Sequence, residues 1–140
     1  MDRLNRIARV GCRCPRRHRR VRRGQVVGVR LDPTEPSEAS KTRPCIVVSN
    51  DGANFAATSL GRGTITIVPL TSNVSKVRAE FQVLIDDPEA IGEMGLTSAS
   101  KAQAEQVRTV SVERLAAITG WVPAWVMRQV DDALKFHLSL

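Results

Sequence analysis

The densest chemistry in this 140-residue chain sits at one loop-to-strand junction: Ser37, Glu38, Lys41, Thr42 and Arg43, with Pro44 opening an apolar run. Pro44 fixes its own φ and biases Arg43 toward an extended backbone. An arginine held at the foot of a strand, beside a loop carrying Glu38, can grip a phosphate through two parallel N–H donors. A second strand exit, PLTSN (69–73), presents the hydroxyls of Thr71 and Ser72. If the two strands pair, Arg43 and Thr71 converge on one anion. If they do not, both segments are ordinary turn polarity.

Most other catalytic sets are missing. Only two histidines occur, His18 and His137, so an imidazole acid–base pair is not expected. The chain has no H-E-x-x-H, G-x-S-x-G or P-loop sequence and no aspartate cluster suited to two metals. Cys12, Cys14 and His18, with Cys45 as a fourth, are candidate metal ligands by type. Their C-x-C spacing among repelling arginines is not a zinc pattern. Neither a metal nor another cofactor is expected.

Charge divides the chain. Residues 1–23 hold ten arginines against Asp2, a net of +9, whereas residues 24–140 carry eleven bases and thirteen acids, a net of −2. The basic segment 1–22 is expected to be an unstructured arm, and 23–140 the folded domain. No apolar h-region follows the arginines and no apolar run approaches about 18 residues, so neither a secretory signal nor a membrane span is expected. The cytoplasm is the expected location. An odd cysteine count of three argues against a secreted disulfide scaffold.

The elements that must position Arg43 and Thr71 read as strands. From Gln25, the residues Val27, Val29 and Leu31 alternate with Val26, Gly28 and Arg30, predicting a half-buried strand. LDPTEPSEASKT (31–42) is a loop, and CIVVS (45–49) a strand buried on both faces. NDGAN (50–54) reads as punctuation, TITIVPL (64–70) and EFQVLI (80–85) as strands, and GLTSASKAQ (95–103) as a polar strand. Further on, Ser111 is a candidate N-cap for a short helix ending at Gly120. Pro123 opens a last helix with Val126, Met127, Val130, Leu134 and Leu138 on one stripe and Phe136 and Leu140 off it, a hint of a partner surface. Five or six strands and two late helices predict a mainly β, α+β domain: a small barrel flanked by helices.

RGQVVGVRLDP (23–33), KTRPCIVVSND (41–51), TITIVPLTS (64–72), EQVRTV (105–110) and VDDALKFHLSL (130–140) resemble, in order, the motifs of the MazF/PemK toxin family. The resemblance is collinear and runs from Arg23 to Leu140. It implies an SH3-like barrel with a C-terminal helix, working as a homodimer. It also implies a sequence-selective, metal-free endoribonuclease on single-stranded RNA (messenger, ribosomal or transfer RNA), leaving a 2′,3′-cyclic phosphate and a 5′-hydroxyl. A MazE-type antitoxin would neutralise it. Arg43 and Thr71 match the family's catalytic pair and Glu38 a functional loop carboxylate. Lys41, Thr42, Asn50, Ser72, Glu105 and Gln106 match RNA-contacting positions. An arginine is a poor base because its pKa lies above about 12, so Glu38 is the alternative to Arg43 as the base that deprotonates the 2′-hydroxyl.

The departures bear on recognition rather than on the pair. Gln25 stands where the family usually has Asp, Val27-Gly28 where aromatics are frequent, and Tyr is absent. Base stacking would then fall to Phe55, whose alternative role is packing. Trp121 and Trp125 are expected as core or dimer contacts. The competing reading from another class is a CcdB-like gyrase-poisoning binder on the same fold, a group that lacks the RP…LTS pair. A third is an inactive domain whose arginine arm binds RNA.

Overall fold

The computed structural model describes residues 20–31 and 42–140. Seven antiparallel strands are placed: β1 Gln25–Val29, β2 Arg43–Val47, β3 Thr64–Thr71, β4 Gln82–Ile85, β5 Ser100–Gln103, β6 Arg108–Ser111 and β7 Leu115–Trp121. Among the described residues three α-helices accompany them: α1 Asp51–Leu60, α2 Pro88–Met94 and α3 Ala124–Leu138. The strand order is β4-β5-β3-β2-β1-β7, with β6 also paired to β3. This is a strongly curled, SH3-like sheet carrying a C-terminal helix.

The eight-residue β3 organises the curl. Its first half, Thr64–Ile67, pairs with β6, its end, Leu70 and Thr71, pairs with β5, and Ile67 to Pro69 pair with β2 on the other side. Alternate residues of β1, β2 and β3 therefore enter two different cores. Val26, Ile46, Val68 and Leu70 face Met94 and the α3 residues Val126 and Val130. Val27, Val29, Cys45, Val47 and Ile67 face Ile65, Val110 and Val112. Each fully buried aliphatic contributes about 1.5–3 kcal/mol, so both faces of these strands stabilise the fold. The half-buried β1 anticipated from its alternation is corrected here: Val26 and Val27 are both buried, because α3 covers the face that would otherwise meet water.

Two further expectations are corrected. The NDGAN stretch does not merely punctuate; it starts α1. The Asn50 side chain accepts from the Ala53 N–H at 2.8 Å, and Gly61 closes the helix in the left-handed region with φ 66°. The helix anticipated over 111–120 is a single 3₁₀ turn, Val112–Arg114, followed by β7. Ser111 does cap that turn, accepting from the Glu113 N–H. The chain then extends because β1 offers it an unpaired edge, with Gln25 opposite Trp121 and Val26 opposite Gly120.

Helix α3 begins after Pro123 and buries Val126, Val130 and Ala133, with Met127 and Leu134 partly covered. Phe136, Leu138 and Leu140 are exposed, as are Trp121 and Trp125 at 49% and 43%, so the two tryptophans are not core residues of this chain. No helix among the described residues is long and apolar enough to cross a membrane.

Candidate active site

Pairing of β2 with β3 decides the question that the sequence leaves open. Cys45 sits opposite Pro69 and Val47 opposite Ile67. Continued two residues along, this register sets Arg43 level with Thr71 on the face shared with Cys45 and Val47. Both residues line one cleft of about 1030 Å³. The two segments singled out in the sequence thus meet at one place.

Each wall has a local cause. Thr42, Arg43 and Pro44 enter at the foot of β2, where Val29 pairs with Arg43. Gly28 also lines the cleft, and a Cβ there would lie 3.4 Å from Thr42 Oγ1. Thr71 and Ser72 arrive at the end of β3. The Thr71 hydroxyl oxygen accepts from the Asn73 N–H at 3.3 Å, which leaves its own proton free to donate. Opposite Thr71 on β5, Lys101 is buried and donates from Nζ to the Lys76 carbonyl at 2.6 Å, pinning the loop that follows the threonine. The far wall, Gly95 to Ser98, follows α2.

Arg108 completes the lining and is not among the residues assigned a role from the sequence. It opens β6 opposite Ile67, hence on the same sheet face as Cys45. The signal was present in EQVRTV, read there as a motif and not as a second cation. The Cys45 thiol records the position of both arginines. Burial pushes it from its ordinary value of 9.0 up to about 12, against the opposing pull of Arg43 and then Arg108. Two guanidinium groups that line the cleft therefore act on one buried atom of the core beside them.

Among the described residues the lining holds two guanidinium groups and seven hydroxyls, and no carboxylate or imidazole. That lining is chemically suited to an anion, with cations for its charge and hydroxyl donors around it. No group of three or more His, Cys, Asp or Glu comes together among the described residues.

Of the residues assigned from the sequence, Thr42, Arg43, Thr71 and Ser72 are brought together in the cleft. Asn50, Glu105 and Gln106 do not line it. Asn50 caps α1, Gln106 is exposed on a 3₁₀ turn, and Glu105 accepts from Gln82 Nε2 at 2.7 Å. Glu38 and Lys41 lie outside the described residues, as do the candidate metal ligands Cys12, Cys14 and His18.

A curled antiparallel barrel of this order, with a C-terminal helix laid against it, belongs to the small SH3-like barrel class. The family model described as a PemK-like, MazF-like toxin of type II toxin–antitoxin systems matches residues 22–138. The chain is 51% identical over 120 residues to the endoribonuclease MazF9 of Mycobacterium tuberculosis, covering 86% of this chain and 98% of that one. It is 30% identical over 121 residues to the endoribonuclease EndoA of Bacillus subtilis, covering 86% and 96%. Among solved structures, MazF from Deinococcus radiodurans superposes with a TM-score of 0.66 at 21% identity over 88% of this chain and all of that one. A mycobacterial endoribonuclease solved in complex with its cognate antitoxin gives 0.64 at 22% identity over 86% and 96%. This chain belongs to the PemK/MazF toxin family.

Proposed function

We propose that the protein is an endoribonuclease toxin that cuts single-stranded RNA at a short recognition sequence, without a metal ion, in the cytoplasm. Residues 23–140 are its catalytic unit. The observation that carries this reading is that Arg43 and Thr71 line the same cleft, level with each other when the β2–β3 register is continued. The similarity to MazF9 and EndoA, both endoribonucleases by name, supports the reaction class. A gyrase-poisoning binder needs neither residue.

The reaction is an internal transfer. The 2′-hydroxyl attacks the adjacent phosphorus and loses its proton, the P–O5′ bond breaks, and the leaving 5′-oxygen takes up a proton from water. The products are a 2′,3′-cyclic phosphate and a 5′-hydroxyl end. Negative charge grows on the phosphorane oxygens, where the Arg43 guanidinium and the Thr71 hydroxyl donate. Losing one such donor costs about 10²–10³ in rate. Two cationic side chains in the cleft supply the charge that a metal ion would otherwise bring. Glu38 takes the proton from the 2′-hydroxyl, and Lys41, Thr42 and Ser72 hold the chain on either side of the cut. Asn50, Glu105 and Gln106 contact RNA beyond the cleft.

The working form is a homodimer, its contacts drawn from the exposed Trp121, Trp125, Phe136, Leu138 and Leu140. A MazE-type antitoxin neutralises it by lying across the dimer groove; the likeness to an endoribonuclease solved with its cognate antitoxin supports a partner of that kind.

The test is cleavage of a long single-stranded RNA in EDTA, wild type beside Arg43→Ala, with both product ends mapped. Cuts at one short sequence with 5′-hydroxyl ends, lost in the variant, are expected. A folded dimer that leaves RNA intact and inhibits a topoisomerase would overturn the reading.

A further inference from the structure

Arg30 and Arg114 stand opposite each other at the end of the sheet, one step beyond the last pair of β1 with β7, Val29 opposite Leu115. The backbone N–H of Arg30 donates to the Arg114 carbonyl at 3.0 Å. The side chains repeat the link. Arg114 Nη1 donates to the Arg30 carbonyl at 3.2 Å, and Arg30 Nη2 donates to the Glu113 carbonyl at 3.2 Å. Each guanidinium thus commits one of its five N–H donors to a neighbouring carbonyl and is braced by it.

Two cations set opposite each other on adjacent strands repel and weaken the pairing. Among the described residues no carboxylate offsets them, since the one ion pair there joins Arg23 to Asp131. Glu113, the nearest acid in the chain, is exposed and meets Arg30 through its carbonyl rather than its carboxylate. A like-charged pair braced in this way fits an external anion, bound through the other N–H donors of both side chains.

The pair borders the cleft. Val29 pairs with Arg43 on its other side, so the row beyond it runs Thr42, Arg30, Arg114 across β2, β1 and β7. Thr42 and Leu31, the residue after Arg30, both line the cleft. Neighbouring strands lie about 4.8 Å apart, which sets the Arg30 and Arg114 backbones about 5 Å and about 10 Å from Thr42. Residues 24–140 carry eleven bases and a net charge of −2, and four of those bases, Arg30, Arg43, Arg108 and Arg114, line or border the cleft. A polyanion finds its cations here and not over the domain as a whole. Trp121, one of the dimer contacts proposed above, sits at the other end of β7, opposite Gln25.

We propose that Arg30 and Arg114 form a second anion site, holding the phosphodiester backbone of a single-stranded RNA one or two nucleotides beyond the scissile phosphate. The proposal rests on the ribonuclease reading of the cleft. Contacts to phosphate carry no base preference, so the pair strengthens capture and sets the register of the chain, while the cleft chooses the cut.

The experiment gives the full chain and its Arg30→Gln, Arg114→Gln and double variants a series of RNA oligonucleotides, each with one flanking phosphate replaced by a neutral methylphosphonate. Each single change should raise KM for unmodified RNA about two- to fivefold with kcat unchanged, and Arg30→Lys should recover most of that loss. The log-affinity against log-salt slope of the double variant should be shallower by about 1.4, at about 0.7 per contact for single strands. One or two methylphosphonate positions beside the cut should weaken binding to the wild type and be silent in the double variant, a coupling that general destabilisation does not produce. Urea midpoints identify a variant that fails to fold, and Arg30→Gln against Arg30→Lys on the same series then decides in its place. Binding of the series with a 2′-deoxy sugar at the cut is measured alongside. Coupled binding without cleavage of normal RNA would overturn the ribonuclease reading and leave the anion site standing. Methylphosphonate penalties and salt slopes that are the same in wild type and double variant would overturn the proposal. So would unchanged RNA binding with lost binding to a polyglutamate peptide, which would assign the pair to an acidic protein partner.

Discussion

Gln82 donates from Nε2 to Glu105 Oε2 at 2.7 Å, while Glu105 Oε1 is buried without a partner among the described residues. Gln82 is itself buried, and its own Oε1 accepts from the Arg78 N–H at 2.9 Å. The pair therefore braces the turn into β4 against the 3₁₀ turn before β6. Glu105→Ala leaves a buried amide unpaired and should cost about 1–3 kcal/mol, read from urea unfolding. Glu105→Gln keeps an acceptor for Gln82 and should cost less. If instead both variants unfold like the wild type and lose only RNA affinity, the brace contributes nothing and the RNA contact is the sole role of Glu105.

Arg108 tests the anion-receptor reading of the cleft. A hydrogen bond to a charged group contributes about 1.5–3 kcal/mol, so Arg108→Ala should lower kcat/KM by about 10–100-fold. Arg108→Lys keeps the charge without the planar fork and should recover part of that loss. Steady-state cleavage kinetics check both. An Arg108→Ala enzyme with wild-type kcat/KM would remove the second guanidinium from the reaction.

Much of this arrangement was legible in the sequence, for reasons that differ by element. TITIVPLT showed itself because β-branched alternation survives whatever packs on it. KTRP and PLTSN showed themselves because a proline after an arginine and hydroxyls after a strand are local signals. Their meeting was not legible, since it depends on strand register, which no local pattern states. Helix α1 was hidden by Gly52 and by its few large apolar residues, although Asn50 and Gly61 were adequate caps. For β7 the local signal pointed the other way. Leu115, Ala116 and Ala117 after a capping serine favour a helix, and the unpaired edge of β1 overrode that preference. Arg108 was passed over because a charge on a strand is usually a solvated face; only the curl of β3 between β2 and β6 turns it into the cleft.

Cys45 makes the pH dependence of stability asymmetric. Its folded value, about 12, lies above the ordinary 9.0. A raised folded value favours the protonated native state, so this contribution is complete below pH 9 and is lost as pH rises from 9 toward 12. Urea midpoints should therefore fall over that alkaline window more steeply in the wild type than in Cys45→Ala. The native thiol should also resist iodoacetamide at pH 8 and label only on unfolding. Rapid labelling of the folded protein at Cys45 itself, mapped apart from Cys12 and Cys14, would contradict its burial.

The Gly120–Met94 contact locks the far wall of the cleft to the sheet. A Cβ on Gly120 would sit 2.2 Å from the Glu93 carbonyl oxygen and 2.5 Å from the Met94 carbonyl carbon, both backbone atoms that no rotamer change can move. The reciprocal approach is as close, with a Cβ on Gly95 falling 2.3 Å from the Thr119 oxygen, and Gly95 also needs its φ of 70°. Gly120→Ala must then push α2 away from β7 and carry the wall 95–98 with it. Overpacking of this kind costs about 1–3 kcal/mol. The variant should lose stability in urea and also raise KM, because Leu96, Thr97 and Ser98 line the cleft. Gly92→Ala, one turn away within α2, is the control: a Cβ there meets nothing within 4 Å. Inside a helix that change should stabilise by about 0.5–1 kcal/mol and leave KM alone. If Gly120→Ala proves as stable as the wild type with unchanged KM, the wall is not held by this contact and the cleft's shape must come from the β3–β5 side instead.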